Sequence, residues 1–146
     1  MAAAGERVVD YPVVLSGKEY RITCVSMGNP HAVLFVDDVD ALNLEVLGPR
    51  FEHHPLFPER INTEFVKVLD RGRLRMRVWE RGAGETMACG TGACASLAAA
   101  YVNGLSDHKA ELILNGGSLF IEWDEESGCI FMTGPAETVF TGEVEL

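Results

Sequence analysis

Thr86-Met87-Ala88-Cys89-Gly90-Thr91-Gly92-Ala93-Cys94-Ala95, running on as Ser96-Leu97-Ala98-Ala99-Ala100-Tyr101-Val102-Asn103-Gly104, is the stretch on which the fold turns. Its alanine-rich second half is a strong helix former, and Gly104 is placed to end the helix as its C′ residue. Ala93, Leu97, Ala100 and Tyr101 fall on one face at helical spacing, while Ala95, Ala98, Ala99 and Val102 occupy the opposite side. No face is clearly polar. A helix apolar all round in a soluble chain has to be enclosed by the rest of its domain.

Cys89 stands just before or at the start of that helix. The free backbone N–H groups there, with the positive end of the helix dipole, favour an anion. A thiol with an ordinary pKa of about 8.5 is expected to fall toward neutrality in such a place. Gly90 and Gly92 let a bound group approach the backbone closely. The pattern describes a reactive thiol beside an anion site of carboxylate size. The competing reading is an inert Cys89, because free cysteine is among the most buried residue types. Cys94, one turn further among alanines, reads as core. The Gly90–Ala95 run also imitates the dinucleotide fingerprint G-x-G-x-x-A, but the βαβ context and its acidic partner are missing, so that reading is rejected.

Working outward, 146 residues suit one domain, taken as 1–146, large enough to bury a core. The net charge of −10 argues against nucleic acid or an anionic membrane as partner, since both need basic patches. Thr86 to Ser106 is uncharged, but its glycines, threonines and asparagine make a poor membrane span. Met1–Arg7 has no apolar segment of a secretory signal, so a reducing, cytoplasmic setting is expected. Cys24, Cys89, Cys94 and Cys129 fit no zinc spacing, although the sequence leaves disulfide pairing open. His53, His54 and His108 have no partner at metal-ligand spacing and read as surface.

Val8–Leu15 and Lys18–Val25 alternate around Ser16-Gly17 and predict a β-hairpin. Ser26–His31 breaks the pattern, and Ala32–Val36 reads as a short apolar strand. Asn43–Phe51 shows helical spacing, complicated by Pro49. Phe65–Leu69 and Leu74–Trp79 predict a second hairpin that delivers Glu80-Arg81-Gly82-Ala83-Gly84-Glu85 directly ahead of the cysteine. Beyond the helix, Ala110–Leu114, Ser118–Trp123, Cys129–Thr133 and Glu137–Phe140 read as strands separated by glycine-bearing turns. The expected class is α+β, a curved mixed β-sheet wrapped around a central apolar α-helix.

Several polar residues gather at the ends of these elements: Asn29, His31, Asn62, Glu80, Arg81 and the Cys89-Gly90-Thr91 step. Each has a bland alternative. Asn29 could serve only its turn, His31 could be a half-buried hydrogen-bonded residue, and Glu80-Arg81 could be a solvated rim. Four blocks nevertheless stand in order: Ser26-Met27-Gly28-Asn29-Pro30-His31, Arg60-Ile61-Asn62-Thr63-Glu64-Phe65, Trp79-Glu80-Arg81-Gly82-Ala83-Gly84-Glu85-Thr86, and Ala88-Cys89-Gly90-Thr91-Gly92-Ala93-Cys94-Ala95. Together they resemble the C-terminal half of diaminopimelate epimerase, from about Tyr20 onward. Proline racemases and phenazine-biosynthesis isomerases use sequences related to the cysteine block; the Glu-Arg-Gly-x-Gly-Glu-Thr lead-in favours the epimerase.

That resemblance implies one half of a two-domain fold whose active site lies between the domains. It implies interconversion of LL- and meso-diaminopimelate, a step toward lysine and peptidoglycan, without pyridoxal phosphate or metal. One cysteine from each domain takes part: a thiolate removes the α-proton and the opposite thiol returns one. Cys89 is implied as one of the pair, with the Gly90 and Thr91 amides on the reacting carboxylate. Asn29, Asn62 and Arg81 are implied at the distal end of the substrate, Glu80 near the distal ammonium or the thiol, and His31 as a residue tuning the thiol. The family's first domain, with its own Cys-Gly-Asn-Gly block, has no counterpart here. The chain is therefore expected to correspond to the C-terminal domain, inactive alone, with that N-terminal domain as its missing partner. Residues 135–146 are expected to join the other domain's sheet, or to serve homodimer contacts, since an unpaired edge invites pairing. From a different class, the competing expectation is a binding or interaction module that keeps the carboxylate site without chemistry.

Overall fold

In the computed structural model, which describes residues 7–146, the chain begins with the expected hairpin. β1 (Tyr11–Leu15) pairs antiparallel with β2 (Lys18–Ser26), Leu15 opposite Lys18. Met1–Glu6, most of the segment searched for a secretory signal, lies outside the described residues. β3 (Pro30–Phe35) returns antiparallel to β2, and α1 (Leu44–Glu52) then carries the chain over one face of the sheet. That crossover makes β4 (Asn62–Asp70) parallel to β3, with His31 opposite Asn62 and Val33 opposite Glu64. β4 starts three residues earlier than its apolar run predicts, because Asn62, Thr63 and Glu64 are buried polar residues. An apolar pattern misses a strand start whose polar side chains are enclosed all the same.

β5 (Arg73–Glu80) pairs antiparallel with β4, and the chain then folds back into a short strand that no sequence pattern announced, β6 (Gly84–Thr86). The turn between them places Gly82 at φ +79° and Gly84 at φ +82°, where a side chain is disfavoured. The expected helix is α2 (Gly90–Val102). It ends as expected: Gly104 adopts φ +72°, the Leu105 N–H reaches the Ala100 carbonyl at 2.9 Å, and the Gly104 N–H reaches that of Tyr101 at 2.9 Å. This is the Schellman arrangement that satisfies the last helical carbonyls. α2 is a second crossover, so β7 (Lys109–Leu114) lies parallel to β5; β8 (Gly117–Trp123) and β9 (Ile130–Thr133) complete the sheet as an antiparallel meander.

The sheet runs β1-β2-β3-β4-β5-β7-β8-β9, with β6 also on β5. It curls around α2, which touches β2 to β5 and β7 to β9. Ala93, Ala95, Leu97, Ala99 and Ala100 are fully enclosed, packed against Val33, Val66, Leu74, Met76 and Leu112. Burying Leu97 alone is worth about 1.5–3 kcal/mol. On the opposite face α1 seats Leu44 and Phe51 against Val13, Ile22, Phe65 and Trp79. The expected strand at Glu137–Phe140 is absent. Residues 134–146 form no helix or strand, and Val139, Phe140, Val144 and Leu146 are largely exposed, because no strand among the described residues pairs with them. No helix among the described residues is long and apolar enough to cross a membrane.

Candidate active site

Period-two alternation sets which side chains reach the N-terminal end of α2. Val33 on β3, Val66 on β4 and Met76 and Val78 on β5 face the helix, so His31, Asn62, Glu64 and Glu80, in phase with them, point to the same side. Cys89 is the residue before the first turn of α2, with extended backbone (φ −141°, ψ 109°). Its sulfur accepts the Gly92 N–H at 3.3 Å, the place a serine or aspartate commonly takes. The Thr91 hydroxyl lies 3.6 Å from the same sulfur. Ala93 N–H bonds the Cys89 carbonyl, and among the described residues the Gly90 and Thr91 amides have no protein partner. Two donors are left facing outward beside a half-buried sulfur, the arrangement an oxyanion needs.

From Thr91 a line of hydrogen bonds leads inward. Asn29 Nδ2 lies 3.3 Å from Thr91 Oγ1, Asn29 Oδ1 is 3.1 Å from His31 Nε2, and His31 Nδ1 is 2.6 Å from Glu64 Oε1. His31 and Glu64 are both fully buried, deeper than the half-buried histidine of the bland alternative. Among the described residues, the hydrogen bonds from His31 to the thiol run through Asn29 and Thr91. Glu64 sits beneath the first turn of α2. A Cβ on Gly92 would come within 2.7 Å of Glu64 Oε1 and 3.1 Å of Cys89 Sγ, so glycine is required for the helix to settle there.

The direction of the thiol's shift corrects the sequence expectation. Burial pushes the Cys89 thiol above its ordinary value, and the Glu80 and Glu64 carboxylates push the same way. The Gly92 N–H and the Thr91 hydroxyl pull it down but do not win. A helix terminus offers only partial charge, and here desolvation and two carboxylates outweigh it. Burial also raises Cys94 and takes Cys24 up to about 11.

A second group lies alongside. Asn62 donates through Nδ2 to the Pro30 carbonyl at 2.9 Å and accepts the Arg81 N–H at 2.9 Å, so it ties the Asn29–His31 corner to the end of β5. Among the described residues the exposed Arg81 guanidinium donates only to the Glu59 carbonyl, at 3.2 Å, leaving most of its donors open. Glu80 accepts from the Thr86 hydroxyl at 2.5 Å, closing the turn that leads to Cys89. Sequence reasoning singled out neither Glu64 nor Glu52. Glu52, at the end of α1, accepts the Trp79 indole N–H at 2.8 Å and the Gly82 amide at 2.9 Å. Their only sequence signal is a carboxylate inside an otherwise apolar strand or helix face, which burial turns into a structural requirement.

The sequence model of the family described as diaminopimelate epimerase matches residues 23–139. A diaminopimelate epimerase of Acetivibrio thermocellus is 63% identical over 135 residues, covering 92% of this chain and 48% of the relative. One of Synechocystis is 56% identical over 146 residues, covering 100% and 52%. The chain thus spans about half the length of the curated relatives it matches. Among solved structures, a PhzF-family phenazine biosynthesis protein of Bacillus anthracis aligns with a TM-score of 0.54 at 24% identity, over 77% of this chain and 38% of that one. A probable proline racemase of Agrobacterium radiobacter aligns at 0.56 and 17% identity, over 85% and 44%. At such identities the likeness is one of fold.

Proposed function

The chain belongs to the diaminopimelate epimerase family, and from that footing we propose that it supplies one of two opposed thiols, Cys89, for inverting the α-carbon of diaminopimelate. The observation that carries this reading is the half-buried Cys89 sulfur set beside the unpartnered Gly90 and Thr91 amides at the start of an enclosed helix. Those amides would hold the substrate's α-carboxylate, with the α-carbon above the sulfur. Inversion needs a base on one face of that carbon and an acid on the other. A thiolate from a partner domain takes the α-proton, its S–H forming as the C–H bond breaks. Cys89 gives its own proton to the opposite face and becomes the thiolate. The upward displacement of Cys89 suits the donor role in this direction; in the reverse direction the roles exchange.

Glu80, close enough to act on the thiol, would attract an ammonium group of the substrate. The open donors of Arg81 suit a distal carboxylate, with a charge-assisted bidentate pair as the strongest form. Asn62 contributes by fixing Arg81's backbone, and Asn29 holds the Thr91 hydroxyl. The exposed segment 135–146, with Val139, Phe140, Val144 and Leu146, would pair in the sheet of the partner domain. The expected setting is the cytoplasm, and the product feeds lysine and peptidoglycan synthesis.

The test is α-deuterium exchange in heavy water. The chain alone, carrying one thiol in such a setting, is expected to leave the substrate's α-carbon undeuterated. Joined to a domain that offers a second such thiol it exchanges, and Cys89→Ser cuts the rate by about 10²–10⁴-fold, the range for a positioned acid–base group. Exchange that Cys89→Ser leaves untouched overturns the reading and leaves a carboxylate-binding module.

A further inference from the structure

Glu64 is a buried carboxylate that the proton exchange described above does not use. It is 0% exposed, its Oε1 is bonded to His31, and its Oε2 has no partner among the described residues. A carboxylate with one oxygen unserved away from water holds a proton more readily than a solvated one. The groups facing it are His31 from β3, Glu80 from β5 and Cys89 from the start of α2. Burial raises Glu64, and the His31 contact opposes that rise.

We propose that Glu64 is a positioning residue: by sharing a proton with His31 it sets the polarity of the relay His31–Asn29–Thr91 that ends on the Cys89 sulfur. Each link has one donor and one acceptor, so the chain points one way at a time. When the Glu64–His31 pair holds two protons, one lies between Oε1 and Nδ1 and the other is on Nε2. The Nε2–H then donates to Asn29 Oδ1, Asn29 Nδ2 donates to Thr91, and the Thr91 hydroxyl is free to donate to the sulfur. That order stabilises a thiolate. When the pair loses a proton, ionised Glu64 keeps the remaining one on Nδ1 and leaves Nε2 a bare acceptor. The Asn29 amide turns over to donate to Nε2, its oxygen takes the Thr91 hydroxyl, and Thr91 is left to accept from an S–H. That order stabilises the thiol. A buried proton four links away thus decides which form of Cys89 is favoured, and by linkage the sulfur's state acts back on His31.

This rests on Cys89 as a proton-transferring thiol, but its readout is thiol ionisation, measured on this chain without substrate, so the two stand or fall separately. The rate of iodoacetamide alkylation at Cys89, resolved from the other cysteines by peptide mass spectrometry, is followed against pH. Glu64→Gln is expected to lower the Cys89 midpoint, because a Gln amide donates to Nδ1 at any pH and holds the relay toward the sulfur. Thr91→Val cuts the last link, and in that background the lowering by Glu64→Gln should shrink to less than half. Equal lowering in both backgrounds means that Glu64 acts only by its charge through space, and overturns the relay. Without any substitution, ring-¹⁵N NMR is expected to show His31 Nε2 protonated wherever Cys89 is a thiolate. A bare Nε2 beside a Cys89 thiolate overturns it as well.

Discussion

Gly92 is where the helix, the thiol and the buried carboxylate compete for one volume. A methyl group there would lie 2.7 Å from Glu64 Oε1 and 3.1 Å from Cys89 Sγ. Glu64 cannot swing aside cheaply, because its carboxylate is fully buried and held by His31 at 2.6 Å. Two effects oppose each other in Gly92→Ala. Helix propensity favours alanine by up to about 1 kcal/mol; overpacking costs about 1–3 kcal/mol. The clash should prevail, giving a lower urea midpoint and an altered alkylation rate at Cys89. A midpoint at or above that of the parent chain would show that the first turn of α2 is not seated on Glu64. The residue that caps the helix is therefore also constrained by what lies beneath it, and the thiol's environment is a packing result.

At the scale of elements, the end of α1 fixes the turn that presents Glu80 and Arg81. Helix and strand meet so closely that a Cβ on Gly48 would fall 2.1 Å from the Trp79 ring. Glu52, only 4% exposed, then accepts both the Trp79 indole and the Gly82 amide. Glu52→Ala leaves the buried Trp79 indole N–H without its acceptor, at about 1–3 kcal/mol, and releases the Gly82 amide at the exposed turn. The expected outcome is a loss of about 1–3 kcal/mol in urea unfolding, the range for leaving one buried donor unpaired. Glu52→Gln keeps one acceptor oxygen and should lose less. A cost below about 0.5 kcal/mol for the alanine variant, the level of an ordinary surface change, would show that the β5–β6 turn is held by its glycines alone. Those glycines were legible in the sequence; the carboxylate that clamps the turn was not, because it comes from a helix 30 residues away in the chain.

For the whole molecule, the carboxylates pull stability in two directions as pH changes. Arg77 holds Glu85 below the ordinary carboxylate range. Burial would raise Glu52, but the N–H groups of Trp79 and Gly82 outweigh it and hold that group low. Both contribute stability that is present above an unfolded pKa of about 4.3 and lost as pH falls through the folded value. Glu64 has the opposite sign: raised by burial, it contributes stability that is intact below about pH 4.3 and lost as pH rises through its folded value. Glu64→Gln should therefore gain stability relative to the parent chain in urea titrations as pH rises from about 4.3 through the folded value of Glu64, by the linkage of a raised carboxyl. A difference that is constant or falls with pH would show that Glu64 is ionised throughout. The sequence by itself determined the enclosed α2, its start at Cys89 and its stop at Gly104, the two hairpins, and the family to which the four blocks point, because these are local matters of periodicity, turn chemistry and motif. Only the tertiary structure brought Glu64 under the thiol, buried His31, left Glu137–Phe140 without a strand, and reversed the expected shift of Cys89. The reason is that two parallel crossovers set β3 beside β4 and lay α2 across them, and desolvation at their meeting point exceeds what a helix terminus supplies.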